Sequence, residues 1–220
     1  RTIHELCWSA DGHRVVSVSA DGTAKVWKPR RGPDEETPQD DEPLATMQHP
    51  SYVYCVRTQP KLGAPKPGGG GGGGSLVITG ANDNALRLWD VVGERAELLA
   101  TKKVHKARIN ALAWPSEGNI FSADGAGVVK HWEVEGRMGG GGGGDLKLIS
   151  SIEKKELRDV PINSITLHPN RRRLLLQTRG HQLLALDTRL QHFSARYQGH
   201  KVGDYHIRAT YSPDGRFVVA

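Results

Sequence analysis

The chain has 220 residues, 37% of them hydrophobic and 25% charged, which is enough for one large domain or two small ones. No apolar run approaches the ~18 residues of a membrane-spanning helix, and no charged-then-apolar leader opens the sequence. Two cysteines, Cys7 and Cys55, are too few for a disulfide framework or a cysteine zinc site, so a reducing, cytoplasmic compartment is expected. Basic residues exceed acidic ones by six; residues 33–42 hold six acids and no base, so the remainder carries +12. Such a surface is open to phosphates, anionic lipid or an acidic protein, or is simply a solvated face. The start at Arg1 and the end at Ala220 inside an apolar run lead us to expect a fragment.

Taken along the chain, the sequence repeats one pattern. Leu6-Cys7-Trp8 reads as a strand and Ser9-Ala10-Asp11-Gly12 as a turn. Residues 18–27 then read V-S-A-D-G-T-A-K-V-W: a strand, a tight turn on Asp21, and an alternating strand that ends at Trp27. The alternation has the period of a sheet, and the turn residues tolerate the positive φ of hairpins. An acidic, proline-containing segment at 31–45 is expected to be an interblade loop. Val53-Tyr54-Cys55-Val56-Arg57 starts a second copy, which closes on Trp89 after a Gly-rich insertion at 61–74. Residues 109–114 and 121–132 make a third copy ending at Trp132, followed by a second Gly-rich insertion at 136–145. Ile162-Asn163-Ser164-Ile165 opens a fourth, in which Leu186 stands where Trp is expected, and residues 207–211 open a fifth. The two glycine runs, 68–74 and 139–144, account for 13 of 27 glycines, and the 14 left in 207 residues are ordinary. Trp89 and Trp132 are 43 residues apart; the longer intervals, trimmed of insertions, fall near the ~40–45 residues of one propeller blade.

The predicted fold is therefore all-β, a partial β-propeller of about four blades and the start of a fifth. The blades are expected at 2–30, 50–93, 104–135, 160–190 and, incomplete, 205–220. With Trp89-Asp90 as the literal dipeptide, and His105 lying 27 residues before Trp132, the chain resembles the WD40 repeat family. The resemblance implies buried hydrogen-bond chains of His49, Thr79, Asp83 and Trp89, and of His105, Ser122, Asp124 and Trp132. Asp21 and Asp83 each precede their Trp by six residues, Asp124 by eight. Asp187 follows Leu186 as Asp90 follows Trp89. WD40 rings close with about seven blades, so the resemblance also implies about half a ring. A flank left open on the order of 500 Å² forfeits roughly 12 kcal/mol of burial at ~25 cal/mol per Å², an upper figure.

The sequence holds no catalytic or metal-binding motif. The ten histidines are dispersed and no metal site is expected. Cys7 and Cys55 sit in apolar strands and read as structural thiols. Ser17, Ser19 and Ser122 lack a nucleophile elbow. The glycine run at 68–74 leads into the strand Ser75-Leu76-Val77-Ile78 rather than a phosphate-binding helix. No cofactor and no enzyme activity are expected.

Tyr52, Lys106, Arg108, Asn163 and Arg208 are the candidate protein-binding residues, expected just before the first strand of a blade or in the turn between its second and third strands, on the face where loops enter the central channel; ordinary loop and edge packing is the alternative. A narrower likeness lies in His49-Pro50-Ser51-Tyr52-Val53-Tyr54, in Pro161-Ile162-Asn163-Ser164-Ile165 and in Ala209-Thr210-Tyr211-Ser212-Pro213-Asp214-Gly215. It is to propellers of proteins at the base of the primary cilium. It implies a non-catalytic scaffold for ciliary-base assembly and ciliogenesis. Its partners would be transition-zone scaffold proteins such as nephrocystins, and its place the basal body, transition zone and centriole. The alternative is an adaptor that binds nucleic acid or an anionic surface, with Arg171, Arg172 and Arg173 as its densest basic run. No aromatics are interleaved there to stack bases.

Overall fold

In Val15-Val16-Ser17-Val18-Ser19 the side chains alternate across a pleated strand, and Val16 and Val18 are buried on one face. The computed structural model describes residues 2–29, 42–60, 75–136, 144–180, 182–199 and 208–220. The first sheet is an antiparallel meander of β1 (Ile3–Trp8), β2 (Val15–Ser19), β3 (Thr23–Trp27) and β4 (Ala45–Gln48). The second comprises β5 (Val53–Thr58), β6 (Ser75–Ala81), β7 (Ala85–Val92) and β8 (Arg95–Lys103). The third comprises β9 (Ile109–Ser116), β10 (Asn119–Asp124), β11 (Val129–Glu135) and β12 (Asp145–Ile152). After a short 3-10 helix, Lys155–Leu157, the fourth comprises β13 (Ile162–Leu167), β14 (Arg173–Thr178), β15 (Leu183–Asp187) and β16 (Phe193–Tyr197). β17 (Thr210–Tyr211) and β18 (Val218–Val219) begin a fifth.

The core lies between consecutive sheets. Val16, Val18, Val26 and Met47 meet Val77, Trp89 and Val91. On the other face of the second sheet, Leu76, Ile78 and Leu88 meet Leu112, Ile120 and Trp132. Phe121 and Val129 meet Ile165, Leu174 and Leu186, and Leu175 and Leu183 meet Ala209. Leu174-Leu175-Leu176 is thus buried on alternating faces, so the fourth sheet packs on both sides without a Trp.

The outer strands β4, β8, β12 and β16 depart from the repeat bounds expected from sequence. β8, β12 and β16 lie wholly past residues 93, 135 and 190, where the expected blades end. Their burial is weak and irregular, so they carry no period to read. The segment expected at 31–45 as an interblade loop instead connects β3 to β4 inside one sheet, and Ala45 already belongs to β4. The Gly-rich segments likewise join β5 to β6 and β11 to β12. Residues 30–41, 61–74 and 137–143 lie outside the described residues.

Candidate functional site: an axial cavity lined by bulged residues

The innermost strands share an irregularity. Ile3 pairs with Ser19 and Glu5 with Val18, which leaves His4 opposite no residue. Tyr54 is skipped in the same way between Val53 and Cys55, Asn110 between Ile109 and Ala111, and Asn163 between Ile162 and Ser164. Each is a β-bulge, which re-aims a side chain that regular pleating would send into a sheet face. Four sheets thus place the second residue of their inner strand alike. His4, Tyr54, Asn110 and Asn163, with Arg208 ahead of β17, line one cavity of about 320 Å³.

The position after each bulge points inward, and Cys55, Ala111, Ser164 and Ala209 are small there and buried. Glu5 is the exception, a carboxylate whose side chain is only 4% exposed. It accepts hydrogen bonds from the Val56 backbone N–H at 2.9 Å, from Arg57 at 2.9 Å and from Arg208 at 2.7 Å. Arg208 therefore ties the start of the fifth sheet to the first across the cavity. Arg57 and Arg208 leave one positive charge beyond the neutralised carboxylate. Arg108 adds another, lying 5.4 Å from the centroid of the Tyr54 ring, a cation–π distance.

Of the sequence-predicted binding residues, the cavity brings Asn163 and Arg208 together and has Arg108 beside it. Lys106 lines a different cleft, and Tyr52, 52% exposed, lines neither. Sequence reasoning missed His4, Tyr54, Asn110, Glu5 and Arg57. The missing signal is positional: Ile3-His4, Val53-Tyr54, Ile109-Asn110, Ile162-Asn163 and Ile207-Arg208 each set a polar or aromatic residue after a β-branched one.

The buried hydrogen-bond chains lie between the sheets. Trp132 Nε1 donates to Ser122 Oγ at 2.8 Å, Ser122 meets His105 Nε2 at 2.7 Å, and His105 Nδ1 meets Asp124 at 2.9 Å. The carboxylate can only accept, so Nδ1–H donates to it and Nε2 accepts a hydrogen bond from the Ser122 hydroxyl. Burial pushes the Asp124 carboxyl up, but donors from His105 and the backbone of Val128 and Ala126 outweigh it and hold the group below the usual carboxylate range.

The chain of the second sheet departs from expectation. Trp89 Nε1 donates to Thr79 at 3.1 Å, and Thr79 meets His49 Nε2 at 2.8 Å. His49 Nδ1, however, bonds the Met47 carbonyl at 3.1 Å. Asp83 is engaged instead by Arg87, four residues on, whose full charge outcompetes the imidazole. His49 is held at about 4, chiefly by burial and then by the Arg87 charge. In the first sheet, Trp27 donates to Ser17 at 2.8 Å, while Asp21 accepts from the N–H and hydroxyl of Thr23. Asp187 accepts from the Arg189 and Leu190 N–H groups and shapes the turn before β16. Asp90, after Trp89, is half-buried at the end of the β7 core.

Cys55 is 1% exposed, and burial drives its pKa far up. Cys7 is half-buried, close to Thr58. Among the described residues no three His, Cys, Asp or Glu side chains converge on a metal position. No helix is long and apolar enough to cross a membrane among the described residues.

Four-stranded meanders stacked face to face, with bulged inner strands around an axial cavity, define an open β-propeller. The sequence model of the WD domain, G-beta repeat, matches residues 1–28 and 96–133. Over these residues the chain carries WD40 repeats. It is similar to jouberin of Rattus norvegicus, at 30% identity over 198 residues that cover 86% of this chain. Jouberin of Mus musculus matches to the same extent. This chain is also 22% identical to human pre-mRNA-processing factor 17 over 226 aligned positions, covering 100% of the chain and 33% of that protein. The chain spans 17% of the length of the jouberin sequences.

Proposed function

We propose that the chain is part of a non-catalytic protein-interaction scaffold that works at the ciliary base. There it contributes to assembly of the transition zone and to ciliogenesis. The observation that carries the scaffold reading is the axial cavity. Five equivalent positions present an imidazole, a phenol, two carboxamides and a guanidinium around one mouth. These groups recognise by hydrogen bonding and charge, as a partner's loop or peptide requires. The ciliary part rests on the likeness to jouberin. Partners are then other ciliary-base proteins, nephrocystins among them, and the location is the basal body, transition zone and centriole.

The test is affinity capture from ciliated cells, using the full-length protein with and without Tyr54→Ala, Asn110→Ala and Asn163→Ala, read by mass spectrometry. Loss of ciliary-base scaffold proteins from the variant, at equal bait abundance, supports the reading. An unchanged partner set rejects the cavity as the binding site, and absence of such proteins from both samples rejects the ciliary assignment.

A second reading is binding to nucleic acid or an anionic surface through the +12 remainder. The likeness to a pre-mRNA-processing factor favours it. It requires affinity to fall steeply with salt and to drop when Arg171, Arg172 and Arg173 become Ala. In the structure Arg171 turns its guanidinium to the Pro115 carbonyl at 3.5 Å, and Arg173 opens β14.

A further inference from the structure

A separate, larger cleft of about 750 Å³ is lined by Lys106, Lys154, Lys155 and Arg158 and by Glu153 and Asp159. Lys106 comes from the connection between β8 and β9, and the other five from the segment between β12 and β13. Four cations against two acids give the cleft a formal charge of +2. Lys106, Lys155 and Arg158 are exposed and Lys154 half-buried, and among the described residues none of the four cations forms an ion pair. Like charges held around a concavity raise one another's energy and focus the field outward, an arrangement that an anion relieves.

The walls are built. Leu157, in the middle of the basic segment, is fully buried in the core between the third and fourth sheets. The Asp159 N–H donates to the Ala126 carbonyl at 3.0 Å. Gly127 sits at φ +83°, and a Cβ there would stand 1.7 Å from the Leu157 carbonyl oxygen. Only glycine lets the β10–β11 turn close on the segment, so the backbone carrying the cations is fixed before any partner arrives.

We propose that this cleft binds an acidic, extended segment of a partner protein. The inference rests on the scaffold reading above and names the chemistry of one partner. Carboxylates of the segment meet Lys106, Lys154, Lys155 and Arg158. Its backbone N–H groups are donors for Glu153 and Asp159, the two acceptors set among the cations. A nucleic acid fits less well: no aromatic side chain lines the cleft to stack a base, and the two carboxylates repel a phosphate chain.

The test uses a fluorescein-labelled octapeptide of alternating Asp and Glu, with binding to the full chain read by fluorescence anisotropy. Lys154→Glu with Arg158→Glu is expected to weaken binding by ~10-fold or more. Lys106→Glu, on a separate connection, is expected to weaken it independently. Arg189→Glu, in the turn before β16, is expected to leave it unchanged. Thermal melts establish that each variant folds, and Lys106→Glu decides the matter if the double variant does not. Peptide affinity that survives both sets of changes overturns the proposal. So does single-stranded DNA of matched charge that binds as tightly and loses affinity with the same variants, which makes the cleft a general polyanion site. If peptide binding fails while the cavity variants still lose ciliary partners, this inference alone falls and the scaffold stands.

Discussion

Ser122 holds two buried groups at once. Its hydroxyl accepts from Trp132 and donates to His105, and it is fully buried. Ser122→Ala leaves an indole N–H and an imidazole nitrogen unsatisfied, at ~1–3 kcal/mol for each such group. We expect a loss of about 3 kcal/mol in urea unfolding. Ser17→Ala removes the same bond from Trp27, but that ring is half-buried and water can replace the partner, so at most ~1 kcal/mol is expected. His49 makes a pH prediction. Its folded pKa of about 4 lies below the ordinary 6.5, so the unfolded chain binds the extra proton between those values. Stability is then fully present above pH 6.5 and falls as pH drops towards 4, by about 3 kcal/mol. Denaturation midpoints measured across that window are expected to flatten in His49→Gln. His131, whose pKa burial also lowers, supplies a residual slope of the same sign. The hydroxyl precedes its Trp by ten residues in all three copies, Ser17–Trp27, Thr79–Trp89 and Ser122–Trp132. That spacing follows from the pairing of neighbouring strands and was open to a reader of the sequence. The Asp-to-Trp spacing was a poorer guide: the regular interval marked Asp83, which serves Arg87, while the irregular one marked Asp124, which completes the chain.

Each inner strand combines a bulge with an inward residue, and Glu5 shows what that position can bear. Arg57→Ala would leave a carboxylate with 4% exposure dependent on Arg208 and one N–H, and truncating one partner of a buried pair is costly. We expect about 3 kcal/mol. Glu5→Ala removes the buried charge itself. Arg57 is 26% and Arg208 53% exposed, so both can hydrate, and the main loss is the unpaired Val56 N–H, ~1–2 kcal/mol. Chemical denaturation should therefore rank Arg57→Ala as the more damaging change; the reverse order would mean that Arg208 alone satisfies Glu5. The inner three strands of the second and third sheets were legible because burial on both faces forces apolar residues into them, bounded by Asp, Asn and Gly turns. The outer strands were not. β16 reads Phe-Ser-Ala-Arg-Tyr and buries no residue fully, so it has pairing without a hydrophobic period. The bulges were invisible to a search for alternation, because a bulge is where alternation fails.

Stacking stops at the first sheet, and the residues there measure what a neighbour supplies. Ile3, Leu6 and Trp8 are 58%, 61% and 59% exposed, whereas Val53 and Val56, at the positions of Ile3 and Leu6 in the second sheet, are 0% exposed. Cross-strand pairing puts all three on one face: Ile3 opposes Ser19, Leu6 opposes Ser17 and Trp8 opposes Val15. Trp27, which also opposes Val15, joins them. The His4 bulge keeps Ile3 and Leu6 on that face despite their odd separation. The far end repeats the condition, with Phe217 at 67% and Val219 at 61% exposed. Contiguous apolar faces of this kind are interaction sites or aggregation liabilities. At ~25 cal/mol per Å², covering a few hundred Å² is worth several kcal/mol, a large share of a domain's ~5–15 kcal/mol. The 220-residue chain in isolation is therefore expected to self-associate through this face. Sedimentation velocity over a hundredfold range of concentration should show a rising weight-average mass, and Leu6→Lys with Trp8→Lys should lower it. Both substitutions sit where the side chains already meet solvent, so they leave the cores between the sheets intact and the melting temperature close to the parent's. A monodisperse monomer with a sharp two-state melt would mean that the exposed face is tolerated in water, and that the cores between the sheets suffice without a neighbour.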